Sequence, residues 1–150
     1  MTKHDAVYKF FKQKIDEIAE QTLGFNYSSE SIDQIALTTD YSDRVIKRYF
    51  KGAKKAYGFT ITIIRPYSTD LDTLNLECMN FVQEFMDWIT EQNRKKNFPD
   101  FGSDCQIQEI ENLQNMPNLS GINPKEGLAR YQIQCRINYF DKEENRNETK

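Results

Sequence analysis

Residues 128–140, LARYQIQCRINYF, alternate in polarity along their whole length. Ala129, Tyr131, Ile133, Cys135, Ile137 and Tyr139 point one way in an extended chain. Arg130, Gln132, Gln134, Arg136 and Asn138 point the other, with Leu128 and Phe140 as apolar ends of that face. A period of two belongs to a strand, because successive side chains leave opposite sides of the backbone. One dry face and one wet face implies an antiparallel sheet with helices on a single side, since a parallel sheet is covered on both faces and reads as an unbroken apolar run.

The rest of the chain supplies the partners such a strand needs. A strand is expected around residues 35–39, a second over 44–51 and a third over 56–64, with Gly52 turning between the last two to make a hairpin with a basic tip. In the third strand Phe59, Ile61 and Ile63 share one face, and Thr60, Thr62 and Ile64 the other. Pro66 ends it, because proline cannot donate to a ladder. A fourth strand is expected over 105–113, where Cys105 and Ile107 are in phase and Ile110 is not, so a bulge should restore the alternation. Residues 114–127 read as a long exposed loop, punctuated by Pro117, Gly121, Pro124 and Gly127.

Two helices cover the sheet. Val7, Phe10, Phe11, Ile15, Ile18 and Ala19 recur at helical spacing over residues 4–22, with Gly24 as the expected stop. A second helix is expected from about 71 to 96, started by a capping choice among Ser68, Thr69 and Asp70 and closed by Pro99 and Gly102. It buries Leu71, Leu74, Cys78, Val82, Phe85 and Ile89, and its second apolar stripe, Phe81 and Trp88, must meet either the first helix or a neighbouring subunit. The expected fold is therefore α+β: an antiparallel-rich sheet of about five strands with two main helices on one face. Residues 1–140 form one domain, and residues 141–150, without an apolar side chain, are a disordered tail.

The chain holds little of what catalysis needs. Its lone histidine, His4, lies near the start, where no ordered setting is evident, so a Ser/His or Cys/His arrangement is not expected. Cys78, Cys105 and Cys135 are far apart and fall in apolar segments, which makes them buried reduced thiols and not a zinc site. Glu84, Asp87 and Glu91 share a helix face at metal-ligand spacing, but nothing completes the set, and a solvated stripe is the simpler account. No glycine-rich phosphate loop precedes the long helix. No cofactor, metal or catalytic residue is expected. An apolar secretion segment is absent from the first residues, and no stretch is long enough to span a bilayer.

Charge is distributed more informatively than its net value of −3. Residues 44–55 hold Arg44, Lys47, Arg48, Lys51, Lys54 and Lys55 and no acid, whereas residues 66–104 hold eight acids against Arg94, Lys95 and Lys96. A chain with a basic flap and an acidic helix is capable of complementing copies of itself, although two solvated faces are what the charges alone favour. The flap interleaves its charge with Tyr49, Phe50 and Tyr57, which also fits single-stranded nucleic acid, although the chain is acidic overall.

Several runs carry a family likeness. Arg65-Pro66-Tyr67-Ser68-Thr69-Asp70, then Trp88, Glu91-Gln92-Asn93 and Asn97-Phe98-Pro99-Asp100-Phe101-Gly102, with Leu113-Gln114-Asn115-Met116-Pro117 and Tyr131-Gln132-Ile133-Gln134-Cys135-Arg136, together cover most of the chain. In these runs it resembles the tail-terminator family of tailed bacteriophages, especially those of Gram-positive hosts, which are often labelled minor capsid or tail proteins. The resemblance implies a structural virion protein: a ring, typically a hexamer, at the head-proximal end of the tail. The ring sits on the last tail-tube ring, stops polymerisation, joins the head–tail connector or stopper, and lets DNA pass through its lumen without specific binding. The protein would be made in the host cytoplasm. On this reading the flap residues Arg44, Lys47, Arg48, Lys51, Lys54 and Lys55, and the loop residues Pro117, Leu119 and Ile122, face neighbouring subunits or the tube. A head-completion or connector-stopper protein would look much the same. A nucleic-acid-binding accessory protein and a small carboxylate enzyme are the rivals from other classes.

Overall fold

The computed structural model describes residues 2–19, 23–25, 35–70, 72–114 and 116–142. Its elements run α1 (Lys3–Ala19), β1 (Leu23–Phe25), β2 (Ile35–Tyr49), β3 (Gly52–Pro66), α2 (Asp72–Lys95), β4 (Cys105–Asn112), β5 (Asn118–Asn123) and β6 (Leu128–Asp141). The fold is α+β, with two helices and a mostly antiparallel sheet in the order β1-β2-β3-β6-β4. Among the described residues, only β1 runs parallel to its neighbour. The short β5 pairs with β6 over Leu128–Gln132 while β4 pairs with Cys135–Asp141, so β4 and β5 share one lane and the sheet is five lanes wide.

β3 and β6 form the spine. Their register runs from Ala53↔Asp141 to Pro66↔Leu128 without a shift. Tyr57, Phe59, Ile61 and Ile63 thus stand beside Ile137, Cys135, Ile133 and Tyr131, and all of them are buried. Val7, Phe11 and Ile15 of α1 and Cys78, Val82, Phe85, Met86 and Ile89 of α2 close over this face. Phe11 sits at the junction, with ring centroids 5.2 Å from Phe59, 6.2 Å from Phe85 and 5.8 Å from Trp88. Burying each such aromatic contributes on the order of 2–3 kcal/mol from area alone.

The second stripe of α2 finds partners within the chain. Trp88 packs on Phe10 and Phe11 of α1, and the Arg65 guanidinium lies 4.4 Å from the Phe81 ring centre. α1 begins in a reciprocal cap: the Thr2 backbone N–H donates to the Asp5 carboxylate, and the Asp5 N–H donates to Thr2 Oγ1. Ahead of α2, Asn75 exchanges hydrogen bonds with the Ser68 backbone, and the Asp70 N–H donates to Ser68 Oγ.

Four sequence expectations are corrected. Residues 35–39 and 44–51 do not belong to two strands but to one, β2, whose register with β3 slips near Tyr41, Arg44 and Lys47. Asp43, with φ of 55°, makes one of these bulges, so the turn-like residues Asp40, Ser42 and Asp43 are absorbed into the ladder. Residues 114–127 are not simply a loop, because β5 lies within them; a shift between Leu119 and Gly121 breaks the alternation that would have revealed it. Gly24 lies inside β1 instead of stopping a helix. Asp141, assigned to the tail, is the last residue of β6 and is ion-paired. The expected bulge in β4 is present, between Ile107 and Glu109. The expected helix end at 22, the burial of Ile18, Ala19 and Leu71, and the tail beyond residue 142 lie outside the described residues.

Candidate assembly surface

The hairpin formed by β2 and β3 is exposed on one side only. β3 is held by β6 to its very start, so Gly52, Ala53, Lys55 and Ala56 are buried. β2 lacks that cover. Every residue from Ser42 to Phe50 is exposed, including Val45, Ile46 and Tyr49, and Phe50 at the tip is 85% exposed. The flap is therefore a corner of the sheet and not a free arm.

Its cations occupy different settings. The Arg44 guanidinium stacks 3.6 Å from the Tyr41 ring centre, and the Tyr41 ring lies flat over Gly58. Lys47 stands 5.2 Å over Tyr49, which itself meets Phe140. Arg48 and Lys51 are exposed, and Lys54 is half-buried. Lys55 departs from the expected basic surface. It points into the core side, where its ammonium lies 3.0 Å from the Asp141 carboxylate, with the two side chains only 9% and 14% exposed. Its register partner is Tyr139, on the buried face, and that single step in phase turns it away from its neighbours.

The second expected patch stands apart. Pro117 is buried, whereas Leu119 and Ile122 are 40% and 44% exposed, near exposed Leu113 and Met116. β5 pairs at the Leu128 end of β6 and the flap at the Asp141 end. Nine residues separate Tyr131 from Phe140 in β6, or about 30 Å at strand rise. The structure does not bring these two patches together.

Beneath the flap lies a polar network that sequence reasoning missed. His4 is not loose: its Nδ1 is 2.8 Å from the Tyr57 hydroxyl, which is 2.8 Å from Thr39 Oγ1. Lys3 reaches Asp43 at 3.1 Å, and the Tyr139 hydroxyl donates to the same carboxylate. Burial would raise the Asp43 carboxyl, but the Tyr139 hydroxyl and the Lys3 ammonium, with the charges of Lys3 and Lys55, hold it below its ordinary value. Burial, then the Asp43 contact, pushes the Tyr139 phenol upward. Burial also raises the thiols of Cys105 and Cys135, so both stay protonated and poorly nucleophilic. These contacts anchor α1 to the root of the flap. Sequence carries no signal for them, because His4 and Tyr57 are 53 residues apart and Asp43 and Tyr139 are 96 apart.

Two grooves open elsewhere. One, about 420 Å³, runs between α1 and residues 97–100 over Phe10 and Trp88, with Lys9, Lys14 and Asp100 at its rim. The other, about 430 Å³, follows the outer side of β4 beneath α2. Among the described residues, no group of three or more His, Cys, Asp or Glu is placed to hold a metal ion. Glu91 is engaged by Arg94 and Lys95, and Asp87 accepts from Gln83, so the acidic stripe of α2 is largely bound to its own helix. Among the described residues, no helix is long and apolar enough to cross a membrane. No protein-family model matches the chain, and no curated protein matches it.

Proposed function

We propose that this protein is a ring-forming tail terminator of a tailed bacteriophage: a structural, non-catalytic component that caps the tail tube and offers the surface for head joining. The observation that carries the reading is the β2 corner. Val45, Ile46, Tyr49 and Phe50 are exposed there among Arg44, Lys47, Arg48 and Lys51, while the face under the helices is a closed apolar core. An isolated protein gains nothing by holding aromatic and branched side chains in water beside cations, whereas a docking surface uses both. The runs that carry the family likeness are also structural joints: Pro66 closes β3, Trp88 joins the two helices, and Asn97 ties the end of α2 to Gln92.

The role is intelligible physically. A growing tube presents the same surface after each added ring, because its axial contacts are heterologous and open-ended. A terminator complements that surface on one side and does not reproduce it on the other. Complementary shape and charge suffice, with no bond to make or break. Tail-tube protein on one side, the connector or stopper on the other and DNA through the lumen are the partners this role requires.

Single-stranded nucleic acid is the weaker alternative. Of the aromatics it would stack on, Tyr57 is buried and Tyr49 lies under Lys47, which leaves Phe50 alone fully open. The test is co-assembly with tail-tube protein, read by negative-stain images. End-bound rings are the expected result. A head-completion role would give rings that bind connector but leave tube growth unaffected, and steeply salt-dependent binding to single strands without rings would favour the nucleic-acid reading.

A further inference from the structure

The groove between α2 and β4 has a chemistry opposite to that of the flap. It is lined by Gln83, Met86, Asp87, Thr90, Glu109, Glu111 and their neighbours, and no lysine or arginine is among its lining residues. Glu111 is neutralised by Arg136 at 2.7 Å. Among the described residues, Asp87 accepts from the Gln83 amide and Glu109 from the Asn138 amide, both neutral donors, and Glu109, level with Asn138 in the ladder, stands on the sheet face away from α2. On its helix side the groove thus carries the Asp87 carboxylate beside the Met86 and Ile110 side chains.

Strand addition does not explain it. The Ile110 N–H is taken by Asn93 Oδ1 at 2.9 Å, and Asn112 is turned toward α2, where its amide donates to the Met86 carbonyl. At Ile110 the edge of β4 is therefore already occupied, and what the groove offers there is side-chain contact. Its volume of about 430 Å³ accommodates a large aromatic side chain together with the arms of two cations.

Resting on the ring reading above, we infer that the β2 corner of one copy, led by Phe50 and Lys47, seats in the α2–β4 groove of the next, with Lys47 opposite Asp87. The occupant is a second copy of this chain because the complement is present on the chain itself. The sheet order puts β2 and β4 on opposite sides of the β3–β6 spine. A patch on one edge that fits a patch on the other makes a head-to-tail contact, which closes into a ring when the rotation allows. Phe50 then leaves water, and Lys47 meets the Asp87 carboxylate.

The test is a paired charge reversal in the full chain, read by sedimentation velocity and light scattering at physiological salt. Lys47 and Asp87 are both exposed, so Lys47→Glu and Asp87→Lys should keep the wild-type melting curve. Each variant alone should lose association by roughly tenfold or more, because every contact then sets like charges together. Mixing the two in equal amounts should restore the ring, since each altered flap then meets a groove of opposite charge. Rings that form equally well with either variant, or a mixture no better than its components, would overturn this contact and leave the ring reading standing. A wild-type chain that stays monomeric, alone and with tail-tube protein, would overturn both.

Discussion

Asp43 shows how much one residue settles here. Its backbone adopts φ of 55°, which bulges β2 out of line, and its carboxylate collects Lys3 and the Tyr139 hydroxyl. A carboxyl depressed in the folded state stabilises it above the unfolded value, about 3.9, and that contribution is lost as pH falls through the lower folded value. The stability gap between wild type and Asp43→Asn should therefore narrow as pH falls from about 6 to about 3. Urea titrations at several pH values would measure it, and a gap that stays constant would remove the carboxylate from the account. Gly58 gives a second prediction. A Cβ there would lie 2.4 Å from the Tyr41 ring, so Gly58→Ala must push the ring aside and disturb its stack with Arg44. A loss of about 1–3 kcal/mol is expected in chemical denaturation. None of this was readable in the sequence, where Asp43 looks like a turn residue and Gly58 like a weak point in a strand. The Tyr41 ring that needs the bare glycine reaches it only because the β2 bulges bring it there.

At the scale of elements, legibility followed the regularity of the ladder. β6 and the core half of β3 were plain, because their alternation is unbroken and their register unshifted. β2 was split in two and β5 was missed, because bulges at Tyr41, Arg44, Lys47 and Gly121 interrupt the period that strand reading relies on. The bulge in β4 was legible, since a single phase change leaves recognisable alternation on both sides. The flap charges were legible as a group, but not the one among them that points inward. Lys55 and Asp141 form a largely buried pair, so removing either partner takes away part of what offsets the other charge. Lys55→Met or Asp141→Asn alone should cost more than about 1 kcal/mol, whereas an apolar replacement of both should be close to neutral. A double-mutant cycle in urea would decide it, and single losses below 1 kcal/mol would mean the pair is effectively solvated. Phe50 lies at the other extreme. Phe50→Ser should leave the stability of the dissociated chain unchanged, because the ring is 85% exposed there, while reducing association.

Across the whole molecule the design is asymmetric. One sheet face carries both helices and a closed aromatic core. One sheet edge is basic, bulged and open, and the opposite edge has its Ile110 N–H taken by Asn93 and lies beside a groove that carries Asp87. Bulges on the open edge discourage unlimited backbone pairing between copies, and so direct association toward side-chain complementarity. A chain built this way gains specificity from geometry and charge. The buried thiols agree with such a passive interior, and Cys78 and Cys135 should resist thiol reagents until the protein unfolds, with Cys105 reacting first. In the proposed function the chain docks onto a polymer and arrests it. The length distribution of tail tubes assembled from purified tube protein with increasing amounts of this chain tests that. Tubes should shorten in proportion to the chain added, each bearing a ring at one end. Tubes of unchanged length, with the chain free in solution as a monomer, would contradict it.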